Sequence, residues 1–178
     1  MPPPFDPSDM NFGFSVPGDA LLGKSGHLRR AQFLASKIDK TGLYFLQDGT
    51  ITQRLFVEAS ETYAAGQFMA TIVLGFSFIE RTIAGRLSYL GKAKEAQSRS
   101  EQLLASAKDA GWLTIDEHSK LEELRKFRNP VIHFRESLDQ SRPEVQAVLA
   151  AKTTEEYLEL QAREVLIAAI HVLNTSAI

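Results

Sequence analysis

Arg128, Asn129 and His133 are the residues of this chain whose types and spacing are best suited to chemistry, and they surround Pro130. A guanidinium binds phosphate through forked hydrogen bonds, and an imidazole with an unperturbed pKa of about 6.5 transfers protons near neutral pH. Together these groups suit metal-free cleavage of RNA, in which a ribose 2′-hydroxyl attacks the neighbouring phosphate. One histidine supplies only one of the two proton transfers, so a symmetric dimer would supply the second.

The same residues also have an ordinary structural interpretation, because arginine and histidine occur at such spacing by chance. Pro130 allows two backbone geometries. In one, a long helix kinks at the proline, and Asn129 and His133 share a face. In the other, a helix over 115–127 ends and a second begins, with Asn129 as its N-cap, Pro130 in the first helical position and His133 in the first turn. The sequence leaves both geometries open.

Basic side chains flank this motif and are predicted to guide an RNA backbone. They are Arg125, Lys126 and Arg135. The carboxylates of Glu122, Glu123 and Glu136 offset part of this charge. The alternative is a solvated helix face whose charges pair at i, i+4 spacing.

Composition limits the remaining function classes. The 178 residues suit one domain, and a formal net charge of −2 argues against a protein that coats nucleic acid through its overall charge. The absence of cysteine excludes disulfides and thiolate metal sites and favours a reducing cytoplasm. The histidines and carboxylates show no metal-ligand spacing, so we expect neither metal nor cofactor, and His171 is predicted to lie in the core or at an interface.

Membrane insertion and secretion are not expected from the sequence. The first residues lack the basic region and apolar core of a signal peptide. The longest apolar run, over 68–79, is shorter than the roughly 20 residues that a membrane helix needs. The sequence therefore predicts a soluble cytoplasmic protein.

Hydrophobic periodicity predicts an all-α fold. Residues 1–25 are rich in proline and glycine and are predicted to form a flexible or surface-draped arm, and residues 26–178 a single helical-bundle domain. Four Ser/Thr-x-x-Glu/Gln patterns predict capping boxes, starting at Thr50, Ser98, Thr114 and Thr153. The predicted helices cover about 28–40, 52–64, 67–90, 115–127 and 154–174, and the only strand candidate is 43–46.

A phosphate-binding pattern occurs in the arm. Residues 18–25 match G-x-x-x-x-G-K-[ST], the P-loop that cradles nucleotide phosphates. That loop requires a preceding strand and a parallel sheet, and here Val16 and Pro17 precede it without any sheet pattern. We therefore interpret the match as accidental.

The motif and its surroundings resemble those of HEPN-domain proteins. The R-N-x-x-x-H arrangement of Arg128, Asn129 and His133, the segment 102–113 before it, and the segment 58–66 followed by a long apolar helix carry the resemblance, which covers about 52–178. It implies a bundle of about four to five helices that dimerises with its motifs face to face. Catalytic members are metal-independent endoribonucleases, often toxins with an antitoxin or phage-defence effectors. Other members are non-catalytic modules that bind a partner protein or a nucleotide.

The resemblance also implies roles for individual residues. His133 would move the proton, Arg128 would bind and stabilise the scissile phosphate, and Asn129 would position the site. Family members often carry a polar residue on the long preceding helix, and Glu80 matches that position. Its functional role would be to orient His133 or Arg128. Its structural alternative is to be a partly buried partner of Arg81, Arg86 or another basic side chain.

Overall fold

The fold is helical throughout the part that the structure, a computed structural model, describes: residues 22–38, 49–137 and 139–175. No strand occurs among these residues, which confirms the all-α prediction. Eight helices are present in the described ranges, more than the four or five expected, and two of them are short. They are α1 (Leu22–Lys37), α2 (Thr50–Ala64), α3 (Phe68–Tyr89), α4 (Ala93–Ala96), α5 (Ser100–Asp109), α6 (Ile115–Ile132), α7 (Pro143–Leu149) and α8 (Thr154–Asn174).

The helix bounds agree with the sequence prediction best where an apolar stripe is long. α3 and α8 match the predicted ranges to within one residue at each end. α1 begins at Leu22, inside the predicted arm, and ends before the predicted residue 40. The rest of the arm and the strand candidate at 43–46 lie outside the described residues.

Helix α3 lies at the centre of the bundle and packs against α2, α4, α5, α6 and α8. Its stripe of apolar side chains is fully enclosed, with Ile72, Phe76, Ile79 and Leu87 each at 0% exposure. By length and composition alone α3 could also cross a membrane, although half of its most apolar window is buried inside this bundle. The expectation that no segment is long enough was therefore wrong, but the core helix of a soluble protein meets the same criterion.

Gly75 lets α3 and α8 approach closely. A Cβ atom added there would lie 2.8 Å from Val165 Cγ1, and Val165 is completely buried. Glycine within a helix costs about 1 kcal/mol relative to alanine. The close contact with α8 is the reason that this position carries no side chain.

We expect Gly75→Ala to destabilise the fold by about 1–3 kcal/mol, because overpacking of the α3–α8 contact outweighs the gain in helix propensity. Urea unfolding measures this change. The double variant Gly75→Ala/Val165→Ala removes the opposing methyl groups, so the cost of Gly75→Ala should be smaller in the Val165→Ala background. Equal costs in both backgrounds would show that the contact with Val165 does not matter.

Two of the four predicted capping boxes are present, at the starts of α6 and α8. Thr114 Oγ1 accepts a hydrogen bond from the Glu117 amide, and the Glu117 carboxylate accepts one from the Thr114 amide. Thr153 and Glu156 form the same arrangement. The predictions at Thr50 and Ser98 were wrong. α2 starts after Gly49 without a side-chain cap, and α5 starts at Ser100 with Arg99 as its uncapped N-cap.

The first of these boxes makes stability depend on pH. Hydrogen bonds from the Thr114 amide and hydroxyl lower the pKa of Glu117 below its ordinary value of 4.5. The unfolded chain therefore binds more protons than the folded one in this range. The contribution of the Glu117 carboxylate to the free energy of unfolding is present above about pH 4.5. It is lost as the pH falls through the pKa of Glu117 in the folded state.

We expect the loss of unfolding free energy between pH 7 and about pH 3.5 to be smaller in Glu117→Gln than in the parent, because the variant cannot titrate at this site. Urea titrations at both pH values measure the difference. Glu123→Gln, an exposed residue on the same helix, serves as the matched control. A pH dependence unchanged by Glu117→Gln would contradict the assignment.

Candidate functional site

The helix that carries the motif is continuous through Pro130. α6 runs to Ile132, and His133 is the first residue beyond it, with φ −120° and ψ 136°. The His133 amide donates to the Asn129 carbonyl at 2.9 Å, which closes the last turn. The alternative in which Asn129 caps a new helix at Pro130 was therefore wrong. Because proline has no N–H, the Lys126 carbonyl loses its usual helical donor.

Arg128 points from α6 into the contact with α3. Its Nη2 donates a hydrogen bond to Glu80 Oε1 at 2.7 Å, and its guanidinium lies 5.0 Å from the centre of the Phe76 ring. The side chains of Arg128 and Glu80 are only 16% and 23% exposed. Arg128 Nε is buried and has no hydrogen-bond partner among the described residues. The structure thus pairs Glu80 with Arg128, a contact that fits both the functional and the structural role predicted for this carboxylate.

We expect Glu80→Ala to lower the free energy of unfolding by about 1.5–3 kcal/mol, because it leaves a largely enclosed guanidinium without its charged acceptor. Chemical denaturation measures the change. Glu58→Ala is the control, since Glu58 forms an exposed i, i+4 pair with Arg54 that should contribute at most about 1 kcal/mol. Equal losses in the two variants would argue against a structural role for the Glu80–Arg128 pair.

His133 lies in an open groove beside the end of α6. The groove has a volume of about 440 Å³, and its walls include Met69, Phe134, Arg135 and Arg142. His133 itself is exposed, and its imidazole makes no hydrogen bond or ion pair among the described residues. The groove therefore combines an exposed imidazole with two guanidinium groups.

Arg128 and His133 do not lie on the same side of the helix end. Five residues of helical rotation separate their directions by about 140°, and Arg128 does not line the groove that holds His133. Asn129, between them in sequence, is partly buried. Within one subunit, the predicted proton donor is therefore open and the predicted phosphate ligand is mostly enclosed.

The three predicted substrate-binding residues have different surroundings. Arg125 is 17% exposed and donates to the carboxylate of Glu122 at 2.8 Å, which raises the pKa of Arg125. Lys126 is exposed and lines a second groove, next to Tyr157. Arg135 lines the His133 groove and lies 4.0 Å from Asp139. Only Arg135 is placed beside His133, and Arg125 is held by other protein groups.

Sequence reasoning missed Arg142, which completes the basic lining of the His133 groove. It is the N-cap residue of α7 and its Nη2 lies 3.3 Å from Glu144 Oε1. The only local signal was its place immediately before Pro143, a residue favoured at the first position of a helix. Nothing in the spacing of Arg142 from His133 indicated that the two would meet.

His171 was expected in the core or at an interface, but its side chain is 47% exposed. Its Nε2 lies 2.7 Å from Glu117 Oε1, so it connects the end of α8 to the start of α6. Among the described residues, no group of three or more His, Asp or Glu side chains is arranged to hold a metal ion.

Comparison of the chain with family models, with curated proteins and with solved structures found no match. The geometry of the described residues is therefore the basis on which a function is inferred.

Proposed function

We propose that this protein is a metal-independent endoribonuclease of the HEPN type that cleaves RNA by 2′-hydroxyl attack at a site formed by two copies of the chain. In this proposal it acts in the cytoplasm, as a toxin or in phage defence, with a partner protein that restrains it. The observation that supports it best is His133, an exposed imidazole without a hydrogen-bond partner among the described residues, in a groove lined by Arg135 and Arg142.

The chemistry follows from the groups at the groove. The imidazole of His133 removes the proton of the 2′-hydroxyl or returns one to the leaving 5′-oxygen, which are the two proton transfers of the reaction. Arg135 and Arg142 donate to the phosphates on either side of the cleaved bond. Each subunit has one such histidine, so a facing copy supplies the second proton-transfer group.

In this proposal Arg128 binds the scissile phosphate. Arginine has five N–H donors, and the ion pair with Glu80 together with the Phe76 ring fixes the guanidinium plane. A guanidinium whose orientation is already fixed loses less side-chain conformational entropy when it binds phosphate. The remaining Nη donors are those available to a substrate that enters between two facing motifs. Glu80 acts here as a positioning residue, and Asn129 as the residue that closes the last turn before His133.

The surroundings of His133 favour a dimer. Apolar side chains next to it are exposed, with Phe134 at 90%, Met69 at 58% and Ile132 at 40%. Exposed apolar residues grouped at one place commonly mark an interaction surface. A second copy packed on this surface would cover it and bring the two His133 side chains together.

A non-catalytic binding module is the second candidate, and the burial of Arg128 favours it. An arginine that is 16% exposed and bound to a carboxylate at 2.7 Å can act as a structural ion pair between α3 and α6 without binding any substrate. In that case the HEPN-like domain would bind a partner protein or a nucleotide without cleaving RNA.

Sedimentation and RNA cleavage in EDTA, measured together, test the proposal. We expect the parent to be a dimer that cleaves single-stranded or structured RNA. Phe134→Glu should give a folded monomer without cleavage, because it places a charge in the proposed interface. Tyr89→Glu, at an exposed residue near the end of α3, should leave both properties unchanged. A monomeric parent that still cleaves RNA, or a dimer that cleaves none of the RNAs, would contradict the proposal.

A further inference from the structure

A large cleft lies between α1, α2 and the first half of α8, on residues that the proposed reaction does not use. Its volume is about 640 Å³, within the usual range of small-molecule sites. Four basic side chains and two carboxylates line it, which leaves an excess of positive charge in a chain whose net charge is −2. The basic residues are Arg29, Arg30, Lys152 and Arg163, and the acidic ones Glu156 and Glu159.

Part of this charge is already bound by the protein. Arg29 Nη2 lies 3.1 Å from Glu159 Oε1, and Arg30 Nε donates to the Ala64 carbonyl at 3.1 Å. The Glu156 carboxylate accepts hydrogen bonds at the capping box of α8. These contacts hold the walls of the cleft together and occupy both carboxylates.

Three donors that line the cleft remain without a protein acceptor in the described part of the chain. The first is the hydroxyl of Tyr63, a residue that is only 3% exposed. The second is the guanidinium of Arg163, whose plane lies over the Phe33 ring at 4.2 Å. The third is the ammonium of Lys152, just before α8. Tyr63 is more than nine-tenths buried, yet it lines the cleft and its hydroxyl has no acceptor among the described residues, so a molecule in the cleft can accept its hydrogen bond.

We propose that this cleft binds a small organic phosphate monoester, with the phosphate held by Tyr63, Arg163 and Lys152. The site offers donors from α2, from α8 and from the turn before α8, and a phosphate presents three terminal oxygens and about two negative charges. The non-phosphate part of the ligand lies against Phe33 and Leu160, the apolar residues of the cleft wall.

The surroundings of Tyr63 agree with this assignment. Burial is the largest cause that raises the pKa of its hydroxyl, and Glu159 raises it further, while the nearby arginines lower it by less. The pKa is therefore raised, and the group is protonated and donates at neutral pH. Phe33 and Phe68 pack against the Tyr63 ring, each with ring centres 6.1 Å away, which fixes the direction of the hydroxyl. A fixed neutral donor near the guanidinium of Arg163 suits an anion better than a cation or a neutral sugar.

This site does not depend on the proposed ribonuclease activity. None of its lining residues belongs to the groove that contains His133. His133→Ala should therefore bind the phosphate ligand as the parent does, and the two proposals can fail separately.

Isothermal titration of the full chain with adenosine monophosphate, ribose 5-phosphate and inorganic phosphate tests the site. We expect both monoesters to bind, and to bind more tightly than inorganic phosphate. Tyr63→Phe keeps the packing and removes only the hydroxyl, and it should weaken binding by at least about tenfold, as should Arg163→Gln. Arg99→Gln, an exposed arginine outside the cleft, should bind like the parent.

Two results would overturn the proposal. One is the absence of binding by either monoester at millimolar concentration. The other is unchanged affinity in both folded variants, Tyr63→Phe and Arg163→Gln. Inorganic phosphate bound as tightly as the monoesters would refute the assignment of Phe33 and Leu160 to the ligand body.

Discussion

Replacement of His133 by alanine is expected to reduce RNA cleavage by about 10²- to 10⁴-fold, the usual contribution of a general acid or base. The imidazole is exposed and makes no hydrogen bond among the described residues, so its removal should leave the free energy of unfolding within about 0.5 kcal/mol of the parent. Initial cleavage rates in EDTA and urea unfolding, measured on the same preparations, give both quantities.

His27→Ala is the matched control, because His27 is also an exposed histidine but lies on α1. It should cleave RNA at the parental rate. If His133→Ala retained full activity, or if both histidine variants lost activity to the same extent, the role assigned to His133 would be wrong.

Phe76→Ala is expected to lower the free energy of unfolding by about 3–5 kcal/mol, because Phe76 is completely buried at the centre of α3. For a chain of this size that loss corresponds to a decrease in Tm of roughly 6–20 °C. The same ring lies beneath the guanidinium of Arg128, so the cavity would also release Arg128 from its fixed orientation. Thermal and chemical denaturation measure the loss of stability.

Phe76→Leu distinguishes the contribution of Phe76 to core packing from its contact with the Arg128 guanidinium. Leucine fills much of the space, so the loss of stability from packing alone should stay below about 1.5 kcal/mol. The aromatic face under the guanidinium is lost in both variants, at a cost of about 0.5–2 kcal/mol in its interaction with Arg128. A Phe76→Ala variant as stable as Phe76→Leu would show that this position is not closely packed.

The sequence predicted those parts of the fold that local physics determines. The apolar stripes of α3 and α8 and the capping boxes at Thr114 and Thr153 depend on residues within one or two helical turns. Two further Ser/Thr patterns failed because the helices began elsewhere, after Gly49 and at Ser100. A capping pattern thus predicts a helix start well only when the apolar periodicity begins at the same place.

The sequence singled out candidate site residues, but it could not give the directions of their side chains. Spacing identified Arg128 and His133, yet it could not show that Arg128 turns inward to Glu80, 48 positions earlier in the chain. Nor could it place Arg142 beside His133, because that contact depends on how the chain returns after α6. The cleft with Tyr63 and Arg163 joins α1 and α2 to α8, which is distant from them in sequence, so no local pattern signals it.

The most direct test of the central claim is the chemistry of the RNA ends that the parent protein produces in EDTA. Attack by the 2′-hydroxyl predicts fragments with a 2′,3′-cyclic phosphate and a 5′-hydroxyl, and no cleavage of a matched RNA with 2′-O-methyl groups. His133→Ala should leave the unmodified RNA intact. Cleavage of the 2′-O-methyl RNA, a strict requirement for added metal, or intact RNA with every substrate offered to the dimer would contradict the account.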